Sequence, residues 1–113
     1  MADTLVSHFL TTTSTSAFEA IEAGDWVSTV LSVTICNNAG SSTNFNMYID
    51  PNGSATGDAG GTNTYLYAQQ TIPSEATFEH TDKIILHASD KLYIQFTNTN
   101  SMGTTVTSLK QTS

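Results

Sequence analysis

Trp26-Val27-Ser28-Thr29-Val30-Leu31-Ser32-Val33-Thr34-Ile35-Cys36 is the stretch whose reading decides the fold. Its odd positions Val27, Thr29, Leu31, Val33 and Ile35 make one face. Ser28, Ser32 and Thr34 make the other, with Val30 and Cys36 as apolar exceptions. A period of two with β-branched residues is the mark of a half-buried strand, because successive side chains leave a pleated backbone on opposite sides. The same alternation returns in Asn44–Asp50, where Phe45, Met47 and Ile49 face inward, and in Lys91–Thr97, where Leu92, Ile94 and Phe96 do.

Working outward, shorter strands are expected at Thr4–Thr11, Ala17–Ile21, Thr64–Tyr67, Ala76–His80, Ile84–His87 and Thr104–Leu109. They are separated by Asn-Gly, Gly-Ser, Gly-Gly and Ser-Asp, which supply turn geometry. Phe18–Ala23 has helical propensity, but Gly24-Asp25 stops it within two turns, and no longer window carries a 3.6-residue period. The expected fold is all-β: a single antiparallel β-sandwich of about eight strands, with jelly-roll and immunoglobulin-like strand orders equally compatible. Residues 17–113 form the sandwich; residues 1–16 are expected to be an extended N-terminal arm followed by the Thr/Ser linker Thr11–Ser16.

The chain's 113 residues suit one domain, since two cores of half that size would be hard to stabilise. Thr, Ser and Asn number 20, 13 and 8, against three Lys and no Arg, for a net charge of −7. Such a surface offers no cationic cluster to phosphates, so neither nucleic acid nor an anionic membrane is an expected partner. No run approaches the roughly 18 apolar residues of a membrane span. MADTLVSHFL lacks a basic n-region, so no signal peptide is expected. Cys36 is the single cysteine and sits in an apolar run, which points to a buried thiol.

The candidate chemical sites dissolve on inspection. Asp50, Asn52, Ser54 and Asp58 offer oxygens along the Gly-rich loop Asp50–Asn63. An EF-hand loop starting at Asp50 would need Gly and Glu where Ala55 and Gly61 stand. His80 and His87 flank a turn without the further ligands that zinc requires. No G-x-S-x-G elbow is present, and Glu19/Glu22 and Glu75/Glu79 lack an apolar setting that would split their pKa values. No catalytic residue, metal or cofactor is expected, and the protein is not expected to be an enzyme. The segments Ile21–Val27 and Leu86–Leu92 echo one another, each with an Asp, Asp25 or Asp90, placed to cap a corner before a strand.

Aromatic and apolar residues on exposed strands are the better signal. Tyr65 and Tyr67 fall on one face of their strand, either presented outward or packed under a hydroxyl-rich rim. Tyr48 points away from its strand's apolar face, as does Tyr93. Leu5, Phe9 and Leu10 make the N-terminal arm sticky. Leu5, Phe9, Leu10, Tyr48, Tyr65 and Tyr67 are therefore the expected protein-interface residues.

The order of these pieces resembles small β-sandwich structural proteins of tailed bacteriophages. The resemblance runs from the Ala-Gly-Asp corner through Ile35-Cys36-Asn37-Asn38, Tyr65-Leu66-Tyr67, Ile72-Pro73, Ala88-Ser89-Asp90 and Leu92–Thr97, spanning residues 17–109. It implies a non-enzymatic virion component. The leading expectation is a capsid decoration, or cement, protein on the outer capsid surface, bound to the major capsid protein or neighbouring virion proteins. It would be a homo-oligomer, for which a trimer is compatible. A tail or fibre-adaptor component is the alternative within that class, and a carbohydrate-binding module using Tyr48, Tyr65, Tyr67 or Trp26 is the alternative outside it. Residues 4–11 are expected to add to a neighbour's sheet by main-chain pairing.

Overall fold

A computed structural model describes residues 2–21, 26–50, 64–87 and 90–112. Apart from Asp50, the expected loop 50–63 lies outside the described residues, as do Asp25 and the Ala88-Ser89 pair of the two corners. Among these residues nine strands follow in order: β1 (Ala2–Thr12), β2 (Phe18–Glu19), β3 (Val27–Asn37), β4 (Thr43–Asp50), β5 (Thr64–Ile72), β6 (Thr77–His80), β7 (Ile84–Leu86), β8 (Lys91–Phe96) and β9 (Met102–Thr112). They make an antiparallel β-sandwich, as the alternation implied, and the described residues include no helix.

One sheet has the order β1-β9-β3-β6, with β7 also paired to β3; the other has the order β2-β8-β4-β5. The pairings nest. The first strand pairs with the last, β2 with β8, β3 with both β6 and β7, and β4 with β5. The chain is thus a long folded-back ribbon rolled into two layers, which brings β9 beside β3 and β8 beside β4. With β6 and β7 counted as one interrupted strand, this is the jelly-roll order, so the immunoglobulin-like alternative falls.

Residues 2–12, expected as an arm, are extended and pair along their whole length with β9. Residues 13–17 then cross from the first sheet to β2 at the edge of the second. Between the layers, Val30, Val33 and Ile35 of β3, Phe45 and Met47 of β4, Leu92, Ile94 and Phe96 of β8 and Met102 and Val106 of β9 are buried.

The stretch that announces the fold does not keep one phase. Ser28 and Val30 are buried before Leu31, and Val33, Ile35 and Asn37 after it. The register against β9 shifts between Val30 and Ser32, so Leu31 is the extra residue of a β-bulge. The bulge carries Val27, Thr29 and Leu31 off the core face where strict alternation placed them, and it explains Val30. It also leaves Cys36 on the outer face, exposed rather than buried.

Candidate protein-interaction surface

Residues directly opposite one another on antiparallel strands share a face. The register therefore builds the outer face of the first sheet row by row. Leu5, Leu109, Thr29 and Ile85 form one row across β1, β9, β3 and β7. Phe9, Thr105, Thr34 and Glu79 form another across β1, β9, β3 and β6, with Ser7 and Thr107 between them. Three apolar side chains stand out into solvent here: Leu5 at 67%, Phe9 at 71% and Ile85 at 58% exposure. The only charges in the paired rows of this face are Asp3 and Glu79. On a chain of net charge −7, a sheet face dominated by Thr, Ser and apolar residues with two carboxylates is a sparsely charged surface.

Leu10 belongs to the opposite side of β1, opposite the buried Thr104, and is 37% exposed. On that inner side lies a cavity of about 410 Å³ under β1, lined by Val6, His8, Ile21, Trp26, Ser108 and Lys110. His8 Nδ1 is 2.8 Å from the Ala20 carbonyl, and Lys110 Nζ lies 3.7 Å from the centre of the Trp26 ring. These contacts hold the end of β1 and β9 against the segment after β2.

The outer face of the second sheet is a tyrosine ladder. Tyr65, Tyr48, Tyr93 and Glu19 lie in one row across β5, β4, β8 and β2. The Tyr48 ring lies 4.9 Å from that of Tyr65 and 5.6 Å from that of Tyr93. Tyr48 and Tyr93 leave the core face as expected, yet are 3% and 7% exposed. Beside them Glu19 reaches Lys91 at 3.4 Å, and the buried Asp50 carboxylate, opposite Lys91, has no hydrogen-bond partner among the described residues.

Tyr65 and Tyr67 do not share a face. Met47 pairs with Tyr67 and Tyr48 with Tyr65, so consecutive residues of β4 meet alternate residues of β5, and a bulge lies between. A second irregularity follows at Gln69, whose φ is 54° and whose N–H donates to Asn46 Oδ1. Tyr67 thereby turns inward, where its ring packs edge-on against Phe78 and His80 and its hydroxyl lies 2.7 Å from His80 Nδ1. Of the expected interface residues, Leu5 and Phe9 come together on one free face, while Tyr48 and Tyr67 are spent on packing. Ile85 and Leu109 were missed, because only the strand register joins them to Leu5.

No family model matches the chain, and no curated protein matches it. A solved structure does align with it. It is a chain from the structure of infectious bursal disease virus, Gx strain, not of a tailed bacteriophage, with 12% identity and a TM-score of 0.47. The alignment covers 95% of this chain and 31% of that one, so the present chain spans about a third of the length of its match.

Among the described residues, no group of three or more His, Cys, Asp or Glu side chains is placed to hold a metal ion. Asp90 caps its corner as expected, its carboxylate accepting from the His87 N–H at 3.1 Å.

Proposed function

We propose that this protein is a non-enzymatic structural component of a virion, a capsid decoration protein that sits on the outer capsid surface. The observation that supports this reading is the sparsely charged outer face of the first sheet, where only Asp3 and Glu79 carry charge in the paired rows and Leu5, Phe9 and Ile85 are more than half exposed. Exposed large apolar side chains gathered on one sparsely charged sheet face suit a protein contact. A jelly roll serves capsid and lectin domains alike, so the fold leaves the choice to the surfaces. A sugar-binding platform would need tyrosine ring faces open to solvent. Tyr48 and Tyr93 stack on each other, and Tyr65, at 41% exposure, covers Tyr48.

The reading is tested by adding purified protein to virus particles, pelleting them through a cushion and counting bound copies. Hundreds of copies per particle, lost on Ile85→Asp, are expected. A dozen or fewer would place the protein at the tail instead, and no co-sedimentation would overturn the virion reading.

A further inference from the structure

The first sheet ends at β1, an edge strand of 11 residues with no strand beyond it among the described residues. A long edge bearing apolar side chains is a pairing template, and soluble proteins normally blunt such edges with Lys, Pro or a bulge. This edge has none of the three. β1 contains no Lys or Pro, and its pairing with β9 runs without a register shift.

The two large apolar side chains on the outer face of β1 are placed symmetrically about Ser7, the middle residue of the strand. Leu5 and Phe9 stand two residues to either side of it on the outer face, and they are the most exposed large apolar residues among those described, at 67% and 71%. We propose that β1 is the seam of a symmetric dimer, in which a second copy of this chain adds antiparallel to β1 with Ser7 on the two-fold axis.

In that register Leu5 of each copy lies opposite Phe9 of the other, twice per dimer, and Ser7 lies opposite Ser7. Asp3, the only carboxylate of the strand, faces Thr11, so no like charges meet despite the net charge of −7. Val6 faces His8 on the inner side. All 11 positions find partners, because the strand runs from Ala2 to Thr12 and is centred on residue 7. Shifting the register by two residues places Phe9 opposite Asp3 in one direction and Leu5 opposite Thr11 in the other. Only the centred register pairs the two apolar residues. An isologous contact of this kind closes at two copies and uses up the edge that would otherwise recruit further chains. It also doubles the sparsely charged face proposed above to meet the capsid. The dimer is measured without particles, so its failure and that of the decoration reading are separable.

The experiment is sedimentation velocity on the full chain from roughly 1 to 500 µM, the range in which small interfaces dissociate. A monomer–dimer equilibrium is expected. Leu5→Lys and Phe9→Glu should each weaken it by about tenfold or more, since each change spoils both symmetry-related pairs. Both positions are solvent-exposed in the single chain, so circular dichroism of the variants should match the parent. The double variant should recover dimerisation, because the introduced lysine then faces the introduced glutamate of the other copy. Within one chain those positions stand four residues apart on a strand, about 13 Å, too far to pair.

Cross-linking fixes the register in a Cys36→Ser background. Ser7→Cys should form a disulfide-linked dimer on mild oxidation; Leu5→Cys and Phe9→Cys should not do so singly and should do so together. A monomer at every concentration overturns the proposal. So does a dimer indifferent to the charge variants, or one that cross-links through Leu5→Cys alone.

Discussion

The side-chain amide of Asn37 donates to the carbonyl oxygen of Ile72 at 3.2 Å, a bond that ties the end of β3 in one sheet to the end of β5 in the other. Asn37 is wholly buried. Its Nδ2 also reaches the carbonyls of Ser41 at 2.9 Å and Pro73 at 3.2 Å, and its Oδ1 accepts from Asn100 Nδ2 at 3.3 Å. One side chain thus satisfies backbone groups of the β3–β4 turn and the β5–β6 turn and meets the β8–β9 loop. Loops at the end of a sandwich carry carbonyls that the ladders leave unpaired, and a buried amide with both donors and an acceptor is suited to gather them.

Asn37→Ala removes those donors: the Ser41 carbonyl keeps Asn100 Nδ2 and the Pro73 carbonyl keeps the Ala76 N–H, but the Ile72 carbonyl loses its side-chain donor and the tie between the sheets is cut. The expected loss is about 2–3 kcal/mol. Asn37→Asp should cost more, since it turns an acceptor-only carboxylate toward three carbonyl oxygens. Urea titration checks both: the midpoint should fall while the m-value stays constant. A midpoint unchanged by Asn37→Ala would show that water replaces the amide at no cost.

The bulge at Leu31 gives a sharper test of the fold. On one side of β3 the pairing with β9 passes from Val30–Ser108 to Ser32–Thr107, skipping Leu31. On the other side, β7 ends its pairing at Val30 and β6 begins at Val33. Deleting Leu31 therefore leaves every cross-strand pair in place and restores strict alternation from Ser28 to Ile35. The deletion variant should fold, at a cost of no more than about 2 kcal/mol. Deleting Thr34 instead should abolish folding, because a one-residue slip inside a continuous ladder reverses the faces of all residues beyond it. Thermal melts of the two deletions should differ in kind. Equal damage from both would mean that Leu31 is not an inserted residue.

These two cases show what the sequence disclosed and what it withheld. Alternation in Trp26–Cys36, Asn44–Asp50 and Lys91–Thr97 is a local signal, and it located β3, β4 and β8 to within a residue or so. The faces inside β3 were misread because a bulge adds one residue without altering composition; Val30, apolar in a polar position, was its only trace. The separation of Tyr65 from Tyr67 had no such trace, since it depends on two irregularities against β4. The jelly-roll order, and the row from Leu5 to Ile85, rest on which strands become neighbours in space, and that information is not local to any stretch. Leu5 and Phe9 were recognisable as an interface candidate because apolar residues beside a Thr/Ser run are conspicuous in any register.

Tyr67 and His80 form a second link between the sheets. The Tyr67 hydroxyl lies 2.7 Å from His80 Nδ1, and the Tyr67 ring packs edge-on against both His80 and Phe78. Tyr67→Phe keeps the ring packing and removes only the hydroxyl. His80 Nε2 is already buried without a partner among the described residues, so the variant leaves the imidazole with no hydrogen bond from its ring nitrogens to them. A loss of about 1–2 kcal/mol is expected. A double-mutant cycle with His80→Leu isolates the pair and should return a coupling of about 1 kcal/mol. Additive losses would assign both residues to packing alone.

Tyr93 supplies the prediction in pH. Its burial, foremost, raises the phenol's pKa above the ordinary value of 10.0; Glu19 and Asp50 push in the same direction, and Lys91 opposes them. The folded protein therefore holds the Tyr93 proton at a pH where the unfolded chain has released it. Below about pH 10 both states are protonated and Tyr93 contributes no pH dependence. Above that value the unfolded state binds fewer protons than the native state, so stability falls as pH rises, until the native pKa is passed. Tyr93→Phe removes this contribution while keeping the ring that stacks on Tyr48. Unfolding free energies measured from pH 8 to 11 should fall more steeply above pH 10 for the parent than for the variant. Parallel curves would mean that Tyr93 ionises alike in the folded and unfolded chain, and the ladder would then be open to water at its centre.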